Sequence, residues 1–173
     1  YRCPAIVFLV VDYIGMENYW DISISKKRNR HLNWNQILEM KESGVSFGSH
    51  TMSHCNLTRL NSERLEYELF ESKRILEKYL GQIDAVSYPF NRVNTCVLKK
   101  VAEAGYKYGF GGEGTDNLLI KKEAIYIIDT SFTFRVKIAE RPSVLYSYER
   151  FKQKVINYFT IATILNMHGK EVL

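Results

Sequence analysis

Short runs of consecutive apolar residues alternate along this chain with segments in which apolar residues recur every three or four positions. Residues 4–13, PAIVFLVVDY, are almost continuously apolar and rich in β-branched side chains, the pattern of a strand buried on both faces within a parallel sheet. Residues 33–43 place Trp34, Ile37, Leu38 and Met40 at helical spacing, with Gly44 where a left-handed terminator belongs. A short strand at 45–47 follows, then a capped amphipathic helix at 62–79 carrying Leu65, Leu69, Ile75, Leu76 and Tyr79. Gly81 ends it. Strands at 85–90 and 106–110 flank a helix at 97–103 closed by Gly105. Beyond this the pattern predicts strands at 125–128 and 132–138, a helix at 147–159 and a last strand at 161–167, just before His168.

This alternation predicts an α/β fold, a parallel sheet wound with helices, either open or closed into a barrel, so that the loops after the strands become the place to look for chemistry. The length of 173 residues, 46% hydrophobic and 13% aromatic, suits a single globular domain covering 1–173. The chain carries 24 Lys and Arg against 19 Asp and Glu, a formal charge of +5. These basic residues are scattered, with only short clusters at 26–30 and 121–122, which argues against a nucleic-acid partner. No stretch reaches the roughly 18 apolar residues a membrane span needs. Cys3, Cys55 and Cys96 lack both the CxxC spacing of a zinc knuckle and the density of a disulfide scaffold, and read as buried or incidental thiols. Gly109, Gly111, Gly112 and Gly114 lack the Gly-Lys-Ser/Thr ending of a phosphate cradle and read as a loop.

The sharpest chemical signal is the segment Ser49-His50-Thr51-Met52-Ser53-His54. On a helical turn, side chains four apart share a face, so two imidazoles converge on one divalent ion and leave positions for a carboxylate and water. The alternative is a pair of surface or capping histidines. Gly48 permits an unusual turn before the motif, and the motif stands where a parallel strand ends.

The chain resembles the polysaccharide deacetylases, carbohydrate esterase family four, with the NodB homology fold. The resemblance rests on Leu32-Asn33-Trp34-Asn35-Gln36, on 43–54 with its Gly-Ser-His-Thr-x-x-His order, on Asn56-Leu57, on Ser87-Tyr88-Pro89-Phe90, and on VAEAGYKYGF at 101–110. It implies a distorted (β/α) barrel, here without its first strand, and hydrolysis of N-acetyl groups from an N-acetylglucosamine-containing polysaccharide outside the cytoplasm. It also implies that His50 and His54 hold a divalent metal, zinc first, and that His168 is the general acid toward the leaving amine. Tyr88, Pro89 and Phe90 would line the acetyl pocket, with Tyr13, Tyr19 and Trp20 as further flat faces for sugar rings.

Departures bear on particular roles. The family's paired aspartates would lie in a strand before Pro4, and Asp12, in Val11-Asp12-Tyr13, matches the end of the following strand instead. Where the family often has an arginine before the proline this chain has Ser87, with Arg92 nearby. Asn166 stands where a leucine precedes the last histidine, and Arg135, on the 132–138 strand, is a surface residue or an orienting one. Two readings stay open at this point: an enzyme completed by upstream sequence, or a noncatalytic carbohydrate-binding derivative of the same fold.

Overall fold

The computed structural model describes residues 4–18, 29–125, 129–139 and 143–168, with side chains as far as residue 156. Four strands, β1 (Ile6–Leu9), β2 (Ser46–Ser49), β3 (Ala85–Ser87) and β4 (Tyr108–Phe110), pair in parallel in the order in which they occur in the chain. The register aligns Leu9 with Ser49, Ser49 with Val86 and Ser87 with Phe110, so all four C-terminal ends lie along one edge. The apolar run at 4–13 is shorter as a strand than its hydrophobicity suggests. After Leu9 the chain turns into a 3-10 turn at Val11–Tyr13, whose first amides bond to the carbonyls of Thr51 and Met52 at 3.2 and 3.0 Å.

Between the strands lie α1 (Trp34–Glu42), a continuous helical stretch made of α2 (Ser62–Glu66), a π-helical turn (Tyr67–Glu71) and α3 (Ser72–Leu80), and α4 (Thr95–Glu103). The local sequence explains their starts. Asn33 caps α1 through a reciprocal pair with Gln36, each side chain accepting the other residue's amide at 3.0 Å. Asn61 and Asn94 cap α2 and α4 by a single bond each, their side-chain oxygens accepting from the Arg64 and Val97 amides at 2.9 Å. Gly44, Gly81 and Gly105, all at positive φ, end α1, α3 and α4, as their positions in the sequence predict.

Ile37, Leu65, Leu69 and Leu76 are fully buried and pack with Phe47, Val86, Val97 and Val101 on the sheet and α4. Burial of each such side chain contributes about 1.5–3 kcal/mol. Gly48 lies within β2 and does not form a turn: a Cβ there would meet the Phe8 ring at 2.6 Å and the Ala85 carbonyl oxygen at 2.9 Å. Its missing side chain lets β1 and β3 close over β2. Leu38 and Tyr79, expected in the core, are half exposed, and Tyr79 stacks on Trp34 with ring centroids 4.2 Å apart.

The chain divides into two compact units, one holding the sheet up to Lys122 and a second from Glu123 onward. In the second, residues 132–138 are helical, within α5 (Ser131–Ala139), and not a strand. The alternating Ser-Phe-Thr-Phe pattern imitates a strand, but Thr130 caps a helix by accepting the Thr133 amide at 3.3 Å. Lys137 in α5 is buried and binds the Asp129 carboxylate at 2.5 Å. Residues 161–167 also belong to a helix, α6 (Val144–His168), because no Gly or Pro interrupts the sequence from 144 to 168. The helix expected at 147–159 therefore continues through them. Residues 126–128 of the strand expected at 125–128 lie outside the described residues. No described helix is long and apolar enough to cross a membrane.

Candidate active site

His50 directly follows the last residue of β2. Its amide donates to the Leu9 carbonyl at 2.7 Å, continuing the β1–β2 ladder, and its Nδ1 lies 2.6 Å from the carbonyl oxygen of Ser87, the last residue of β3. A carbonyl only accepts, so Nδ1 carries the proton and Nε2 keeps its lone pair. Burial, the neighbouring His54 and Lys122 hold the ring's pKa down to about 3, against the opposing effect of the Ser87 hydrogen bond. At neutral pH His50 is an uncharged imidazole with one nitrogen fixed and the other available as a ligand.

His54 is brought to it by a turn of unusual backbone. The two ring centroids are 4.7 Å apart and the planes meet at 70°. The sequence placed the pair on a helical turn, but the structure uses a loop in which Thr51 (φ 71°) and His54 (φ 59°) are both left-handed. Such conformations in non-glycine residues cost on the order of 1–3 kcal/mol each and persist where the surroundings over-determine them. Here they do. The Thr51 amide donates to Ser49 Oγ at 3.1 Å and the His54 amide to Thr51 Oγ1 at 3.2 Å. The fully buried Glu68 accepts from the amides of Met52 (3.0 Å) and Ser53 (2.9 Å) and from Ser53 Oγ (2.6 Å), and it pairs with Arg64 at 3.2 Å.

The segment after β3 closes a second side. Phe90 (φ 57°) and Asn91 (φ 54°) are left-handed, and the half-exposed Phe90 ring stands edge-on to His54 at 5.0 Å. Tyr88 and Pro89 are buried. Tyr88 is 0% exposed and donates its hydroxyl to the Leu118 carbonyl at 2.8 Å, while burial pushes its phenol pKa well up. It therefore offers no face to a sugar ring, and the expected stacking role at this segment passes to Phe90 alone. Lys122 donates to Ser87 Oγ at 2.9 Å, and its pKa is lowered by burial. Cys55, below the turn, has its thiol pKa pushed up to about 11 by burial and Glu68, which leaves it inert.

The structure thus brings together His50, His54, Phe90 and the β3 end, and adds Glu68 and Lys122, which the sequence reading did not single out. Glu68 had a signal: a lone acid among the inward positions of an amphipathic helix, three residues after Leu65. Asp12 lies exposed at the 3-10 turn, its pKa raised by partial desolvation and by Glu68, and it joins no grouping able to hold a metal among the described residues. His168 terminates α6 in the second unit and does not end a strand, and its side chain lies outside the described residues, as do Tyr19 and Trp20. Arg135 lies on α5 and is exposed, as is Arg92 beside the β3 segment.

Two imidazoles, one with its tautomer fixed by a carbonyl, fit two positions of a divalent-metal site. No third His, Cys, Asp or Glu joins them among the described residues.

Comparison with known proteins gives the chain's family. The polysaccharide deacetylase family model matches residues 1–109. The YxkH protein of Bacillus subtilis (strain 168) is 29% identical over 110 residues, covering 63% of this chain and 35% of that protein. A poly-beta-1,6-N-acetyl-D-glucosamine N-deacetylase of Staphylococcus aureus is 28% identical over 123 residues, covering 65% of this chain and 40% of that one. Among solved structures, a polysaccharide deacetylase from Bacillus cereus superposes with a TM-score of 0.64 at 26% identity, covering 79% of this chain and 42% of the other. The Streptococcus pyogenes deacetylase PplD, solved in complex with acetate, gives 0.57 at 28% identity over 69% of this chain and 53% of its own. The chain spans well under half the length of these curated relatives. With the sheet, the paired histidines and the family match over residues 1–109 in agreement, this chain belongs to the polysaccharide deacetylase family.

Proposed function

We propose that this chain forms part of a metal-dependent N-deacetylase that acts on an N-acetylglucosamine-containing polysaccharide outside the cytoplasm. The observation that carries the reading is the His50–His54 pair, with His50 Nδ1 tied to the Ser87 carbonyl so that Nε2 is left for a ligand. A divalent metal held there, zinc in this reading, would act as Lewis acid toward the acetamide oxygen and acidify a water. The chain's own residues supply orientation. His50 stays neutral over the whole physiological range, so no proton competes for its Nε2. Phe90 gives an apolar wall beside His54, suited to the methyl group of an acetamide. The likeness to the Staphylococcus aureus enzyme supports β-linked N-acetylglucosamine as the polymer to test first.

One observation favours a second reading, a noncatalytic carbohydrate-binding derivative: the two histidines gather no carboxylate among the described residues. Zinc titration of the chain and of its His50→Ala and His54→Ala variants, with acetate release from acetylated glucosamine oligomers as the second readout, separates the two. The enzyme reading expects zinc binding lost in both variants, and acetate released by the zinc-loaded protein once it is joined to upstream sequence carrying the paired aspartates. Absent binding, with both substitutions silent, would replace it with the second reading.

A further inference from the structure

We propose that Glu68 is a positioning residue for His54: its carboxylate fixes the turn at residues 51–54 that aims this imidazole, while His50 is held independently by strand backbone. The inference rests on the metal-site reading above.

The two histidines are anchored by different means. His50 is an extension of the sheet, its amide on the Leu9 carbonyl and its ring on the Ser87 carbonyl, both main-chain atoms of neighbouring strands. His54 lies four residues beyond the last ladder hydrogen bond, past the left-handed Thr51 and itself left-handed. Main-chain bonds reach only Thr51 and Met52, whose carbonyls accept from the Val11 and Asp12 amides, while the four amides of the turn are all held by side-chain oxygens. Glu68 Oε2 takes the consecutive amides of Met52 and Ser53 at 3.0 and 2.9 Å, and Oε1 takes the Ser53 hydroxyl at 2.6 Å. One carboxylate therefore satisfies three donors of the four-residue turn, and Arg64 at 3.2 Å balances its charge. Charge-assisted bonds of this kind are about twice as strong as neutral ones.

The carboxylate is itself aimed from below. Glu68 lies on the π-helical turn at Tyr67–Glu71, a geometry that recurs at functional sites, and its main-chain carbonyl accepts from Ser72 Oγ at 2.7 Å. Ser72 Oγ accepts in turn from Ser49 Oγ at 3.0 Å, and Ser49 Oγ from the Thr51 amide at 3.1 Å. Both routes end on the turn before His54.

The test uses the intact chain without metal, and then with zinc. Ring nitrogen and carbon NMR signals of the four histidines are compared between wild type, Glu68→Ala, Glu68→Gln and Ser53→Ala, the last removing one contact while keeping the buried acid should Glu68→Ala fail to fold. The expected result is displacement of the His54 ring signals in Glu68→Ala and Ser53→Ala with His50 unchanged, and partial return in Glu68→Gln, whose amide oxygen can still accept the two turn amides. Zinc affinity should fall by roughly 10- to 100-fold in Glu68→Ala, the usual effect of losing a residue that orients a ligand. Equal displacement of both rings, or of neither, overturns the proposal. If the wild type fails to bind zinc, the metal reading fails, and the ring signals still decide whether Glu68 positions His54.

Discussion

The depressed pKa of His50 gives a sharp prediction for stability against pH. Unfolded, the imidazole titrates near 6.5, whereas in the folded chain burial holds it to about 3. Between these values the unfolded chain binds a proton that the folded chain does not, so stability rises with pH across this window and is lost as pH falls. Above pH 6.5 the contribution is flat. The slope of a fully separated pair is about 1.4 kcal/mol per pH unit, so lowering pH from 5.5 to 4.0 should remove about 2 kcal/mol through this one residue. Carboxylates titrate in the same range, and a variant cancels them. His50→Asn places an amide nitrogen where Nδ1 stood, retaining a donor for the Ser87 carbonyl, and has no proton to bind. Urea unfolding of both proteins in chelator, at half-unit pH steps, should show the wild type losing about 2 kcal/mol more than the variant between pH 5.5 and 4.0. Parallel curves, agreeing within a few tenths of a kcal/mol, would refute the buried neutral imidazole and with it the fixed tautomer.

Two further outcomes test the frame around the site. Tyr88→Phe leaves the Leu118 carbonyl without its 2.8 Å partner in a buried position, and should lower unfolding free energy by about 1–3 kcal/mol while leaving zinc affinity unchanged; unfolding and titration read both. Gly48→Ala forces a methyl group to within 3 Å of the Phe8 ring and the Ala85 carbonyl, and should cost about 1–3 kcal/mol in thermal unfolding, since the ring can yield and the strand backbone cannot.

Much of the sheet unit was legible because its signals are local. Asn61 stands where a cap belongs, Gly44, Gly81 and Gly105 where helices end, and the short strands between are continuous apolar runs, whereas the Asn94 cap went unread and α4 begins two residues before the expected 97. The HxxxH pair was legible as a pair but not as a geometry, because the left-handed Thr51 and His54 depend on Glu68, fourteen positions beyond His54 in the sequence. Tyr88 was misread for a related reason. An aromatic residue at a strand end looks the same whether it faces solvent or, as here, finds a carbonyl thirty residues away. The second unit misled most: Phe132 and Phe134 alternate as in a strand, and only the Thr130 cap and the buried Lys137–Asp129 pair reveal a helix.

The hydrogen bond from His50 to Ser87 spans 37 residues of sequence, and this sets a schedule for the nascent chain. At about 5–20 residues per second, roughly 2 to 7 seconds separate synthesis of the histidine from synthesis of the carbonyl that selects its tautomer. Throughout that interval either ring nitrogen can hold the proton, and the strand that will complete the pocket wall has not been made. The tautomer of His50 is therefore selected only when β3 docks against β2, which ties completion of this histidine pair to completion of the sheet.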